Sequence, residues 1–427
     1  MSSHRESAVD LKHEFIPGLT SVRAFAAFLV ILGHYWVWLS PFQPEIRNLF
    51  RVDTGAIGMT TFFVLSGFVI HLTYARWFRD LSRIRATFLF AVARLARLYP
   101  LYVFFLVVVL VRTHGNLRLF FADDAFRDFV LTHLLGIQAW YPFTFEGRIV
   151  SNGPFHVSWS ISTELFFYLV YPAIFFAIVR LRSVGWVRVA WVAFVVIAML
   201  GLPRLSQFLL PYCQQFETRH GLQPADAGNT VWMWLVYVSP YFRLPEFILG
   251  ALTAEIFMRS RNEGRRRSPV VGDTLVALAV TSIVALVFAR HSLPHSGGLF
   301  VLSKSFLLAP PIAFLLFAIA SYPSRASRAL AAPSLVWLGE ISYSLYLLHP
   351  LVPRMIDIPL NAYPLDFPAL ALLVTNWLIA GTLLLALSFG TYRLVEVPGR
   401  RAIRRLGQGL LPERWRDSSF GSTSIVR

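Results

Sequence analysis

Apolar runs of about 20 residues recur from one end of the chain to the other, and they constrain the fold more than any other feature. A helix of about 20 residues is about 30 Å long, which matches the hydrocarbon thickness of a bilayer. Only 15% of the 427 residues are charged, whereas a soluble domain contains about 25%. The sequence therefore predicts an all-α polytopic integral membrane protein.

The positions of the basic residues indicate how the apolar runs are oriented. We expect about ten transmembrane helices, at roughly residues 18–39, 55–75, 98–111, 154–179, 186–203, 230–258, 270–289, 299–321, 335–353 and 367–392. Arginine-rich stretches at 76–97, 180–188, 259–267 and 325–328 then lie on one side. Because basic loops remain in the cytosol, both termini are expected there. Residues 112–153 would form an external segment with an amphipathic or re-entrant helix, and residues 204–229 an external loop.

Composition narrows the possible partners. The net charge of +16 alone would suggest nucleic acid. The basic residues lie between apolar runs, as the positive-inside rule expects, so we predict the lipid bilayer and no nucleic acid as a partner. Cys213 is the only cysteine, which excludes an intrachain disulfide and a cysteine metal cluster. We expect a transmembrane domain over residues 1–402 and a basic cytosolic tail over residues 403–427, with no metal.

Two ionisable residues interrupt the first apolar run. Arg23 and His34 are separated by about 16 Å along a helix, which places His34 near mid-membrane. An ionisable residue at that depth is costly and suggests a functional site. A neutral imidazole can serve as a general base or an acyl carrier. The alternatives are a histidine that only packs between helices and an arginine that snorkels to the interface.

A second group of polar residues lies in the segment Trp159–Glu164, WSISTE. Glu164 would also lie near mid-membrane, where a carboxylate needs a partner such as His34 or an arginine. His156, closer to the outer surface, is a weaker candidate. An ion pair with a purely structural role is the alternative interpretation.

Three further motifs contain small or charged residues. Ser66 and Gly67 in FFVLSGF would allow a ligand or a backbone to approach closely. Arg94 and Arg97, at the cytosolic end of the third span, could bind phosphates, or could simply form a positive-inside loop.

Arg243 and Glu246 in the RLPEFILG segment are three residues apart, which predicts an intrahelical ion pair. We favour a structural role for this pair.

Taken in order, these motifs resemble the membrane-bound acyltransferase 3 family, whose members O-acylate bacterial cell-surface saccharides. The similarity extends over roughly residues 15–402. It begins with the Arg23–His34 spacing and continues through FFVLSGF, RLARLYP, WSISTELFFYLVYP, RLPEFILG, ISYSLYLLHP and YRLVEVPGRR. The WSISTE segment matches the family pattern W-S-x-x-x-E.

The resemblance implies transfer of an acyl group from cytosolic acyl-CoA, by default acetyl-CoA, to a hydroxyl of a cell-surface or lipid-linked saccharide. It also implies a location in the bacterial cytoplasmic (inner) membrane. The implied catalytic residues are His34, Glu164 and Arg23; the donor-binding residues are Arg94, Arg97, Ser66 and Gly67; the acceptor-binding candidates are Trp159, His156, Arg243 and Glu246. The sequence leaves open acylation of a non-saccharide metabolite. It also leaves open a transporter or flippase, because mid-membrane charges and a helix broken by proline would suit a substrate path as well.

Overall fold

The computed structural model describes residues 15–39, 54–114, 123–145, 147–149, 153, 155–222, 230–261, 267–291, 297–352 and 369–412. Within these residues the protein is all-α apart from one two-stranded hairpin. Strands β1 (Thr144–Phe145) and β2 (Arg148–Ile149) pair antiparallel, with Thr144 opposite Ile149. The predicted fold class is therefore confirmed.

Fifteen longer helices account for most of the described chain. They are α1 (Pro17–Leu39), α2 (Thr54–Asp80), α3 (Arg83–His114), α4 (Asp124–Leu135), α5 (Trp159–Val179), α6 (Val184–Arg219), α7 (Pro240–Arg261), α8 (Pro269–His291), α9 (Gly298–Lys304), α10 (Ala309–Ser321), α11 (Arg325–Leu330), α12 (Pro333–Glu340), α13 (Ser342–Leu348), α14 (Ala369–Thr391) and α15 (Val397–Gly409). Short helical turns precede α5 (His156–Ser158), α7 (Val231–Met233 and the π-helical Trp234–Val238) and α15 (the π-helical Tyr392–Glu396).

Eight segments within the described residues are long and apolar enough to cross a membrane. The chain is thus a multi-pass membrane protein, but the predicted count of about ten is not confirmed. The difference lies at 230–258 and 335–353. The first contains α7, which is interrupted by charged residues and is largely buried inside the bundle. The second is divided into the short helices α12 and α13.

Two of the expected connections have a different structure. The loop predicted over 204–229 is wrong at its start, because α6 continues through Pro203 and Pro211 to Arg219. The segment 112–153 does contain the expected amphipathic helix, α4. Asp123 caps its N-terminus, and Gly136 ends it with a φ of 69°. The ring of His133 on α4 is fully buried, and burial lowers the pKa of His133 to about 4. This histidine therefore belongs to the neutral core of the segment.

The centre of the bundle is formed by α2 packed closely against α7. A Cβ at Gly67 would collide with the Phe247 carbonyl, and a Cβ at Gly250 would collide with the Val64 carbonyl. The two backbones therefore approach as closely as small residues allow. By contrast, α6 and α8 expose large apolar side chains along their length, as expected of helices that face lipid.

Candidate active site

A cavity of about 780 Å³, counting the part open to the exterior, lies between α1, α2, α3, α5 and α13. Its lining brings together six polar residues from four of these helices: Arg23, Ser66, Arg94, Arg97, Ser160 and Glu164. Three tyrosines, Tyr168, Tyr343 and Tyr346, complete one wall. Five of the predicted site residues thus share one cavity, although they come from four separate motifs.

Glu164 anchors the polar middle of the cavity. Ser160, Glu164 and Tyr168 are spaced four residues apart on α5, so their side chains share one face. The carboxylate accepts hydrogen bonds from the Ser66 hydroxyl at 2.9 Å and from the Tyr168 hydroxyl at 2.6 Å. It also attracts the guanidinium of Arg23. His34 or an arginine was predicted as the partner of this carboxylate; the structure places an arginine near it, together with two hydroxyls that were not predicted.

Arginines surround one end of the cavity, which we call the arginine end. Arg94 donates a hydrogen bond to the Tyr74 hydroxyl and lies over that ring, 4.7 Å from its centroid. Arg97 and Arg400 both donate to Oε1 of the fully buried Glu396. The second oxygen of Glu396 accepts from Ser344 on α13 at 3.1 Å. One carboxylate therefore joins α3, α13 and the C-terminal helix α15.

Three histidines form a cluster farther along α1, which we call the histidine cluster. The ring centroid of His34 lies 4.8 Å from that of His349 and 5.9 Å from that of His156. Nδ1 of His34 lies 2.9 Å from the Val30 carbonyl, which can only accept. Nδ1 therefore carries the proton, and Nε2 is the basic atom of the ring. His34 was one of the two partners expected for Glu164, but the Val30 carbonyl holds its Nδ1.

Tyr346 connects the cavity to the histidine cluster. It lines the cavity, and its hydroxyl lies 2.7 Å from the Ser160 hydroxyl and 3.0 Å from the Val157 carbonyl. Its ring centroid lies 5.6 Å from that of His349. The Tyr346 carbonyl accepts a hydrogen bond from Nδ1 of the fully buried His349 at 2.5 Å.

The remaining candidates pack beside the cavity and are absent from its described lining. The predicted ion pair of Arg243 and Glu246 is confirmed at 3.0 Å, with both side chains fully buried. The Arg243 guanidinium lies 4.5 Å from the centroid of Tyr237 and 5.8 Å from that of Trp159. Gly67 serves the contact between α2 and α7. These contacts account structurally for four of the candidates.

A second buried charge cluster was missed by the sequence analysis. Glu255 on α7 accepts hydrogen bonds from Arg79 at 2.9 and 3.0 Å and from Arg259 at 2.7 Å. Nε2 of His71 lies 2.9 Å from the same carboxylate, and the Tyr171 hydroxyl lies 3.3 Å from Nδ1 of His71. The i,i+4 spacing of Glu255 and Arg259 is the one signal that could have indicated it.

Two residues of the site itself appeared in the sequence motifs without an assigned role. His349 lies in ISYSLYLLHP and Glu396 in YRLVEVPGRR. Each contacts residues far away in the chain: His349 contacts His34, and Glu396 contacts Arg97. An isolated buried carboxylate followed four residues later by arginine could have marked Glu396 as part of an ion-pair cluster.

Comparisons with known proteins follow the same motifs. A family model described as an acyltransferase domain matches residues 16–393. Acyltransferase MdmB of Streptomyces mycarofaciens is 28% identical over 347 residues, which cover 79% of each chain. Nodulation protein 10 of Rhizobium leguminosarum bv. viciae is 26% identical over 342 residues, covering 78% of this chain and 81% of that protein.

A putative O-acetyltransferase of Staphylococcus aureus (strain COL) is 23% identical over 432 residues. The match covers 95% of this chain but only 60% of the length of that relative. No solved structure matches the chain. Since the family model extends from residue 16 to residue 393 of the 427, the chain belongs to this family of membrane acyltransferases.

Proposed function

We propose that the protein transfers an acyl group from acyl-CoA to a hydroxyl of a cell-surface or lipid-linked saccharide, with acetyl-CoA as the default donor. The observation that carries the proposal is the cavity in which Arg23, Arg94 and Arg97 meet the Ser66–Glu164–Tyr168 group. We place the arginine end toward the cytosol of a bacterial inner membrane, with both termini on that side.

The chemistry of the arginine end suits a polyanionic donor. Among the described residues, Nε of Arg94 is buried without a hydrogen-bond partner. A buried donor of this kind is costly unless a ligand satisfies it. Guanidinium groups bind phosphates through paired, charge-assisted hydrogen bonds, and coenzyme A offers three phosphate groups. We therefore assign the coenzyme diphosphate to Arg94 and Arg97.

The histidine cluster supplies the base. His34 lies 11 residues beyond Arg23 on α1, about 16 Å along the helix, a distance that an extended pantetheine arm can bridge. In this proposal Nε2 of His34 removes the proton from the acceptor hydroxyl as its oxygen attacks the thioester carbonyl. The carbon–sulfur bond then breaks, and the thiolate takes up the proton. The Val30 carbonyl stabilises the imidazolium through Nδ1–H.

A covalent route uses the same atoms. Nε2 of His34 would attack the thioester, release the thiolate and hold the acyl group. The acceptor hydroxyl would then attack the acyl carbon, the bond to Nε2 would break, and the hydroxyl proton would pass to the thiolate. Both routes need Nδ1 to keep its proton and Nε2 to face the donor. In either route Glu164 acts as the counter-charge to Arg23, which it attracts electrostatically. Its carboxylate is held in place by hydrogen bonds from Ser66 and Tyr168.

The test uses membranes that contain the wild-type protein, His34→Ala or the control His220→Ala at equal levels. His220 is a suitable control because its Nδ1 also lies near the carbonyl four residues earlier, at 2.9 Å, but it is at the exposed end of α6. Acetyl-CoA labelled in the acetyl group is supplied, and label is followed into saccharide, other metabolites and protein. We expect label in saccharide with the wild type and His220→Ala, and none with His34→Ala.

Other outcomes would change the proposal in specific ways. Label in a non-saccharide metabolite would replace the acceptor class. Label retained on the wild-type protein would favour the covalent route. If folded wild-type protein consumed no thioester with any acyl-CoA and a supplied acceptor pool, the proposed donor would be wrong.

A further inference from the structure

The C-terminal helix α15 places a second pair of arginines beside the arginine end of the cavity. Gly399 and Gly407 lie so close to α3 that a Cβ would collide with the side chain of Pro100 or Val92. This packing fixes the rotation of α15 about its axis. Arg400 and Arg404, one helical turn apart, therefore share the face that points toward Arg94 and Arg97.

This region holds more positive than negative charge. Five guanidinium groups gather around Arg97: Arg23, Arg400 and Arg404 each lie within electrostatic range of it, and Arg94 lies within range of Arg23 and Arg404. Three carboxylates offset them, namely Glu164, Glu340 and Glu396. Partly buried like charges repel each other strongly because water screens them poorly. The excess of positive charge indicates a site that is completed by an anion.

Unsatisfied hydrogen-bond donors point to the same conclusion. Among the described residues, the Nε atoms of Arg94, Arg400 and Arg404 are buried and have no hydrogen-bond partner. The Arg400 side chain is only 18% exposed. Within the part of the chain that the structure describes, Arg404 forms no ion pair with a carboxylate at hydrogen-bonding distance. A phosphate would supply the acceptors that these guanidinium groups lack.

The order of groups along the donor matches the order of arginines along the site. Arg94 and Arg97 line the cavity, whereas Arg400 and Arg404 lie next to it on α15. In coenzyme A the diphosphate follows the pantetheine arm, and the 3′-phosphate lies farther away on the ribose. A pantetheine arm in the cavity would place the diphosphate at the α3 pair and the 3′-phosphate nearer the α15 pair.

We propose that Arg400 and Arg404 form a second phosphate subsite that binds the 3′-phosphate of the donor. The protein would then select coenzyme A thioesters over thioesters that lack this phosphate, including those carried on a phosphopantetheine alone. This inference depends on the proposed acyl-CoA donor. It assigns a function to α15, more than half of which lies in the segment 403–427 that was predicted to be a basic cytosolic tail.

The test measures binding of coenzyme A and of 3′-dephospho-coenzyme A to the full-length protein, purified in detergent, by calorimetry. We expect the wild type to bind coenzyme A about tenfold more tightly than the dephospho form, the value of one lost charge-assisted contact. Arg404→Gln should abolish this difference by weakening only coenzyme A. Arg401→Gln is the matched control, because Arg401 lies on the exposed face of α15 and the charge change is identical.

A second variant and a lipid titration remove the remaining ambiguity. Arg400→Gln should also reduce the preference for coenzyme A, so a folding defect in Arg404→Gln would not prevent the test. If a phospholipid headgroup occupied the subsite instead, anionic lipid would compete with both coenzyme forms equally, and the preference would be absent. If the wild type bound coenzyme A and 3′-dephospho-coenzyme A equally well, the 3′-phosphate subsite would be wrong and the proposed function would stand. Failure to bind any coenzyme A or consume thioester would overturn the proposed function.

Discussion

The arginine end and the histidine cluster sit at two ends of one site but are built in opposite ways. At the arginine end, cationic side chains from α1, α3 and α15 share too few carboxylates, and several N–H groups lack acceptors. In the histidine cluster, backbone carbonyls fix the Nδ1 atoms of His34 and His349. The first arrangement favours binding of an anion, whereas the second holds imidazoles in a defined tautomer for proton transfer.

The Glu255 cluster shows what a purely structural charge cluster looks like in the same protein. Both oxygens of Glu255 accept hydrogen bonds, and within the described residues neither Arg79 nor Arg259 has a buried nitrogen that lacks a partner. Its buried hydrogen-bonding groups are therefore satisfied without a ligand. The arginine end differs in this respect, which is why we assign a ligand there and none to Glu255.

The largest expected effect follows from removing the base. His34→Ala should lower kcat for acyl transfer by about 1,000-fold, since general bases contribute roughly 100- to 10,000-fold. Steady-state release of coenzyme A in purified protein measures this loss, with His220→Ala as the control. A decrease of less than tenfold would show that the histidine cluster does not carry the chemistry.

A smaller but distinct effect is expected at the arginine end. Arg94→Gln should raise the KM for acetyl-CoA about tenfold to a hundredfold, because one charge-assisted contact to phosphate is lost. The kcat should change little, since Arg94 lies away from the reacting atoms in our proposal. Kinetics at varied donor concentration, with Arg401→Gln alongside, test this. A decrease of kcat at constant KM would contradict a role in binding.

Substitution of His349 should slow catalysis without weakening donor binding. His349→Phe keeps a ring against His34 but removes Nε2, which is buried without a hydrogen-bond partner in the described structure. We expect kcat to fall about tenfold through misplacement of the base, with the KM for the donor unchanged. His220→Phe controls for loss of a histidine as such. Full activity of His349→Phe would reduce His349 to a packing residue.

The smallest effect is expected from salt. Raising the ionic strength from low values to about 0.5 M should raise the KM for acetyl-CoA severalfold, because salt screens the approach of a polyanion from the solvent to the arginine end. The kcat should remain within twofold, since neutral imidazoles perform the chemistry. A change in kcat with salt at constant KM would contradict this expectation.

Much of the fold could be predicted from the length and polarity of the apolar runs. The expected span 18–39 corresponds to α1, and the expected span 270–289 corresponds to α8. The apolarity of a segment did not predict the structure correctly where a helix is surrounded by other helices and not by lipid. The helix α7 carries Arg243, Glu246 and Glu255, whose charges are paired within α7 and, for Glu255, also with Arg79 on α2. Run length also could not reveal the break between α12 and α13.

The site was predictable in its residues but not in their pairing. The charged residues Arg23, Arg94, Arg97 and Glu164 were expected from their positions relative to the membrane. Ser66 was expected from its small-residue motif, and one cavity contains all five. Their partners follow from which helices touch, and this is set by close contacts such as Gly67 with Phe247. The pairing of Arg97 with Glu396 joins the third helix to the end of the chain. No local periodicity contains that information.

The division of roles between the two ends is tested most directly by donor affinity. Calorimetry with coenzyme A would compare wild type, His34→Ala and Arg94→Gln in one set of preparations, each checked for acetyl transfer. We predict that His34→Ala binds coenzyme A with wild-type affinity while transferring no acetyl group, and that Arg94→Gln binds at least tenfold more weakly. Wild-type affinity in Arg94→Gln, together with lost affinity in His34→Ala, would contradict the account.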